Sequence, residues 1–299
     1  MQTLAKIFVF VWSMIVVEAV PADPGHDPAP YSVERAGNGG HPVYLIPGLS
    51  NAGDVWDGLA VTLRANGYRT HVLTLAGFGG QPPLPHHEPF LPRVRDALAA
   101  ELATHTGLKP VVIGHSLGGF MALWLGATAS EHLAGLIVID GVPFLPALAN
   151  LAATAESQAA SAEQIRTFMA SLTPEQFAQQ NQMSLEAMAK NESERARIAA
   201  TSTRSSPASV GRAMAELMTT DLRPMLDRID VPVLMIQAAD SGARDALREA
   251  YASQIEAIPD HRHIVADQGG HFVQLDDPEF TAREVLGFLE SLNANEAEQ

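Results

Sequence analysis

Ser116 is the residue on which the chemistry of this 299-residue chain can turn. It lies in Val111-Val112-Ile113-Gly114-His115-Ser116-Leu117-Gly118-Gly119, where a β-branched run drives into Gly-x-Ser-x-Gly and a small-residue, Ala/Leu-rich segment follows. That pattern predicts a strand, a very tight turn and a helix. The turn holds the serine in a strained backbone conformation, and a side chain at Gly114 or Gly118 would collide with the neighbouring strand or helix. The strain lifts the hydroxyl out of the sheet to the start of the helix, where the dipole and free N–H groups favour negative charge. A serine hydroxyl is a poor nucleophile at neutral pH. It needs a base within hydrogen-bond reach, and the base needs an orienting carboxylate. The chain has no cysteine, so thiol catalysis, disulfides and thiolate metal sites are excluded.

Gly-His-Ser-Leu-Gly-Gly between a buried strand and a helix resembles the nucleophile elbow of the α/β-hydrolase superfamily. The resemblance implies the chain order serine, acid, histidine. It makes His271, in Gly-Gly-His-Phe just before the last helical segment, the base. It places the acid just past the strand that follows an inserted cap. Asp240, in Ala238-Ala239-Asp240-Ser241-Gly242, is the best match, although the Gly usual in that loop is missing and the spacing is one residue short. Asp140, at the end of the preceding strand, is the alternative position, and Asp245 is a third candidate. Asp276 and Asp277 open a helix, where N-capping is their natural role. The superfamily's first oxyanion loop ends in His-Gly-x. Here the pair is Pro47-Gly48, so Leu49 is the matching residue and its backbone N–H the donor. The second donor is the N–H of Leu117. His115 shapes the pocket or its underside. The implied chemistry is two-step acyl transfer on a carboxylic ester with a small to medium apolar acyl group, with no cofactor and no metal.

Elements that would position these groups can be read around them. Residues 31–36 alternate like an edge strand, and 42–46, 70–75, 135–140, 231–237 and 262–266 read as further strands. Helical patterns at 55–66, 90–104, 242–257 and 278–293 alternate with them. This predicts an α/β fold, a mostly parallel sheet with helices on both faces. From 142 to 229 no strand pattern occurs, and the segment reads as an all-helical cap inserted into the sheet. Ser161-Ala162-Glu163-Gln164 and Thr173-Pro174-Glu175-Gln176 look like helix starts, and Pro207 and Pro224 begin further segments. Six methionines, 169, 183, 188, 214, 218 and 225, fall in the cap and suit either its own packing or an adaptable apolar pocket. The core then comprises 23–141 and 230–299. Residues 1–22 read as a secretory signal peptide, with Lys6, an apolar run at 7–17 and small residues before Asp23. The implied location is secreted or periplasmic.

A formal net charge of −15 disfavours nucleic acid and anionic membranes as partners. His86-His87-Glu88 has no further ligand at matching spacing and reads as a solvated loop. A lactonase, an amidase or aminopeptidase, or an acyltransferase would use the same residues. An aminopeptidase would need cap carboxylates in the pocket, for which Glu156, Glu163, Glu175, Glu186, Glu192 and Glu194 are available. A ligand-binding protein on the same scaffold is a separate reading, motivated by the irregular loop at Asp240. Nothing in the sequence sets the oligomeric state.

Overall fold

The computed structural model describes residues 28–238 and 244–297. The expected signal segment, 1–22, and Asp240 lie outside the described residues. Buried apolar runs build the sheet: β1 (Tyr31–Ala36), β2 (Pro42–Ile46), β3 (Arg69–Leu75), β4 (Val111–His115), β5 (Gly135–Ile139), β6 (Val233–Gln237) and β7 (His261–Val265). Their order is β1-β3-β2-β4-β5-β6-β7. Only the edge strand β1 is antiparallel to its neighbour. Every residue of β2, β4, β5 and β6 is buried, as expected when helices cover both faces.

Alternation along each strand divides the core. Tyr44, Ile46, Val112 and Val138 face α2 (Phe90–Leu102) and α3 (Leu117–Ala129). Val43, Leu45, Ile113, Ile139 and Ile236 face the opposite layer, where α1 (Asp57–Ala65) packs with the C-terminal helix at 278–297. Helix α3 is apolar on all sides, and every residue except Thr128 is buried. It is the central helix, and its first residue follows the serine.

Between β5 and β6 the described chain is helical: α4 (Ala155–Ser171), α5 (Pro174–Met188), α6 (Glu192–Ser202) and α7 (Pro207–Thr219). Thr173 starts α5 with a reciprocal capping box to Gln176. Ser161 does not start a helix. It lies inside α4, which begins earlier, at a capping box between Thr154 and Ser157, because the Ala-rich stretch ahead of Ser161 is itself good helix. Helix α7 fastens the insertion to the sheet layer. The N-cap of α2 is Pro89, which has no side-chain acceptor, and Glu216 of α7 instead takes the Phe90 and Leu91 N–H groups at 2.7 and 2.6 Å. Beyond the insertion come α8 (Arg244–Ile255), α9 (Val273–Asp276) and α10 (Pro278–Ala297).

A polar cluster pins the edge strand to α2 and β2. Glu101 of α2 accepts Tyr31 Oη at 2.7 Å, Tyr44 Oη at 2.9 Å and Arg35 Nη2 at 2.8 Å. His71 stacks on Tyr44 with ring centroids 4.3 Å apart. Burial, reinforced by the Arg35 charge, pushes the His71 pKa down to about 4. A folded pKa below the unfolded value means that the unfolded chain binds the extra proton first. The stability is therefore fully present above about pH 6.5 and is lost as pH falls toward 4. We expect urea unfolding to show a drop on the order of 2–3 kcal/mol over that window from this ring alone, and His71→Phe to flatten the slope. An unchanged slope in the variant would assign the acid sensitivity elsewhere.

Candidate active site

The chain runs from β2 to β3 on one side, then crosses back to place β4 on the other side of β2. Such a reversal leaves a crevice at the carboxyl ends of the two strands. The loop after β2 and the turn after β4 both open there, and they carry Leu49 and Ser116.

Ser116 has φ 54° and ψ −117°, a positive-φ conformation that a side chain seldom adopts. The flanking glycines are sterically required. A Cβ on Gly114 would stand 2.0 Å from the Gly118 carbonyl oxygen, and one on Gly118 would stand 2.1 Å from that of Ile46. A Cβ on Gly48 would lie 3.3 Å from the Ser116 Cβ, so the β2 loop passes directly beside the serine. Ser116 is also the N-cap of α3. The first N–H groups of that helix, beginning with Leu117, have no carbonyl partner within it.

His271 Nδ1 donates to Asp140 Oδ2 at 2.6 Å. This fixes the ring tautomer and leaves Nε2 as the basic nitrogen. Asp140 directly follows β5, next to the serine strand, and holds φ 47°. Its other oxygen accepts the Ala238 N–H at 2.9 Å. Burial raises the Asp140 pKa, but the hydrogen bond and charge of His271 together with the Ala238 N–H outweigh it. The carboxyl therefore stays below its ordinary range and ionised. Tyr251 Oη donates to the Gly141 carbonyl at 2.5 Å and so clamps the backbone just after Asp140.

Asp240, the first match in the sequence, lies outside the described residues. Among the described residues the carboxylate on His271 is Asp140, the alternative position. The strand beside the serine strand delivers this carboxylate just past its carboxyl end, within reach of the histidine. The sequence signal was present in the run GLIVID followed by Gly141, a lone carboxylate closing a buried strand beside the serine strand. Asp245 falls in α8.

His115 is fully buried beneath the site. Its Nε2 donates to the His271 carbonyl at 2.9 Å, and its ring lies 4.6 Å from that of His271. Burial, with the nearby His271 charge, pushes its pKa down to about 3, so it is a neutral support. Of the two aspartates read as caps, Asp277 does accept the Phe280 N–H of α10. Asp276 does not serve α10. It accepts the N–H groups of Gly270, Lys190 and Asn191.

Ser116, His271, Asp140, Leu49 and Leu117 line one cavity of about 740 Å³. Its other walls are largely apolar and include Leu145, Ile165, Val210 and Leu217, with Met169, Met188 and Met214 from the insertion. Met183 is exposed instead. Gln180, Asn181 and Ser184 of α5 form a polar strip. Asn181 Oδ1 accepts Ser50 Oγ at 3.1 Å, which ties that helix to the β2 loop. Among the described lining residues, Asp140 is the only carboxylate, and there is no lysine or arginine. None of the six insertion glutamates reaches it. His86-His87-Glu88 forms no metal cluster among the described residues, and Glu88 pairs with Arg93.

The family model for the alpha/beta hydrolase fold matches residues 41–278. A pimeloyl-[acyl-carrier protein] methyl ester esterase of Aeromonas salmonicida is 38% identical over 112 residues, which cover 38% of this chain and 42% of that relative's length. The enzyme of the same name from Aromatoleum aromaticum is 29% identical over 245 residues, covering 79% of this chain and 92% of the relative. A thermophilic esterase from Thermogutta terrifontis superposes with TM-score 0.68 at 22% identity, covering 93% of this chain and 97% of its own. The chain belongs to the alpha/beta hydrolase fold family.

Proposed function

We propose that the chain is a serine carboxylesterase acting on uncharged esters with a small to medium apolar acyl group. The observation that carries this reading is the His271–Asp140 hydrogen bond at 2.6 Å beside a positive-φ serine in a shared apolar cavity. Ser116 Oγ attacks the acyl carbonyl while His271 Nε2 takes its proton. Asp140 stabilises the imidazolium. The N–H groups of Leu49 and Leu117 receive the developing alkoxide, and each fixed donor is worth about a hundredfold or more in rate. His271 then protonates the leaving alcohol, and the same nitrogen activates water to release the acid. Two relatives named as ester-cleaving enzymes support the reaction class.

The composition of the described walls supports one of the neighbouring chemistries over the others. A substrate ammonium would meet no carboxylate on the described walls besides Asp140, which disfavours an aminopeptidase. A substrate carboxylate would meet no cationic side chain there, so an anionic acyl group is disfavoured as well. The binding-protein reading drew on the irregular loop at Asp240, and the hydrogen bond between His271 and Asp140 favours the enzyme over it.

Initial rates on p-nitrophenyl esters from acetate to palmitate test the proposal. We expect turnover with an optimum at intermediate chain length, because a cavity of about 740 Å³ seats an acyl group well beyond acetyl. Absence of turnover on every ester would sink it.

A further inference from the structure

We infer that Asp276 is a positioning residue that straps the His271 loop to the α5–α6 turn, so that the packing of the insertion over the cavity is transmitted to the catalytic base. The inference rests on the Ser116–His271–Asp140 reading above. Three observations carry it. The Asp276 carboxylate gathers three backbone N–H groups from two distant segments. Oδ1 accepts Lys190 and Asn191, both at 2.9 Å, and Oδ2 accepts Gly270 at 2.7 Å. The two segments also touch directly, for a Cβ on Gly270 would stand 2.3 Å from the Met188 carbonyl oxygen. Met188, which ends α5, lines the cavity.

The strap therefore runs from a cavity wall through residues 188–191 to the carboxylate and on to Gly270, one residue before the base. From the other side, His115 holds the His271 carbonyl at 2.9 Å. His271 is thus fixed by the amide that precedes it and by its own carbonyl. Only an ionised carboxylate offers acceptors alone to three converging donors, whereas an asparagine would press its NH₂ against one of them. Displacing a catalytic group by about 1 Å can cost about 100-fold in rate.

The test uses the full chain with Asp276→Asn and Asp276→Glu. Labelling of Ser116 by a fluorophosphonate is followed by intact mass. The kcat and KM on a p-nitrophenyl ester are normalised to labelled sites, and near-UV circular dichroism reports the fold. We expect Asp276→Asn to label about 10–100-fold more slowly, with kcat reduced to match and KM within about threefold of wild type, and Asp276→Glu to recover most of the loss. A folded Asp276→Asn that labels at the wild-type rate overturns the inference. If Asp276→Asn does not fold, Gly270→Ala parts the same two segments with the carboxylate in place. Slow labelling there supports the strap, and wild-type labelling overturns it. Wild type that is itself not labelled at Ser116 overturns the triad reading and this inference together. Normal wild-type labelling with an unaffected variant overturns this inference alone.

Discussion

Ser116→Ala should lower kcat on any ester the wild type cleaves by about 10⁴–10⁶-fold, with KM nearly unchanged. On the proposed mechanism the variant removes the atom that forms the acyl bond and leaves the remaining site in place. Alanine retains the Cβ and meets the same backbone strain as serine at φ 54°, so the elbow should persist. Thermal unfolding should confirm this, with a midpoint within a few degrees of wild type. The surviving rate comes from binding and the fixed N–H donors. Activity above about one percent of wild type would mean that another nucleophile, or water held by His271, does the work. Mass spectrometry of a trapped acyl adduct distinguishes these outcomes, since only wild type should carry it, at Ser116.

Asp140→Asn should cost about 10⁴-fold in kcat, the loss known when an asparagine replaces the orienting aspartate in a serine protease triad. The amide keeps the volume but no longer accepts as a carboxylate from His271 Nδ1, at present a 2.6 Å contact. The imidazole is then free to adopt the tautomer with its proton facing the serine. Asp240→Ala, made in parallel, should remain within a few-fold of wild type. The pair decides the acid in one experiment. A crippled Asp240→Ala beside an active Asp140→Asn would return the role to the loop after β6.

Much of the fold is legible in the sequence. Buried apolar runs announced β2, β4, β5 and β6, because a strand covered on both faces favours apolar residues along most of its length. The elbow was legible because its two glycines answer to steric contacts within a few residues and one neighbouring strand. The acid was harder. Asp140 and Asp240 both follow a sheet strand, and which one a distant histidine faces is a property of strand order and loop direction. Asp276 shows the same limit. Its spacing to Pro278 matches a helix cap, whereas its real partners at 190 and 191 lie some 85 residues away. Local chemistry reads from local sequence, and contacts across the insertion do not.

The division between sheet and insertion has a further consequence. Ser116, His271 and Asp140 stand in turns around the buried sheet, while part of the cavity wall belongs to α4, a helix that is mostly exposed. In α4 only Ala162 is buried, yet Ile165, Phe168 and Met169 of that helix reach the cavity. Phe168 is 53% exposed, so changing it removes little buried surface. Substitutions at such positions away from packed features usually stay within about 0.5 kcal/mol of neutral. The lineage of this chain could therefore alter what it accepts by single steps, each viable, without passing through an unfolded intermediate. For a designer, α4 is the place to begin a substrate-range library, and the sheet is the part to leave alone.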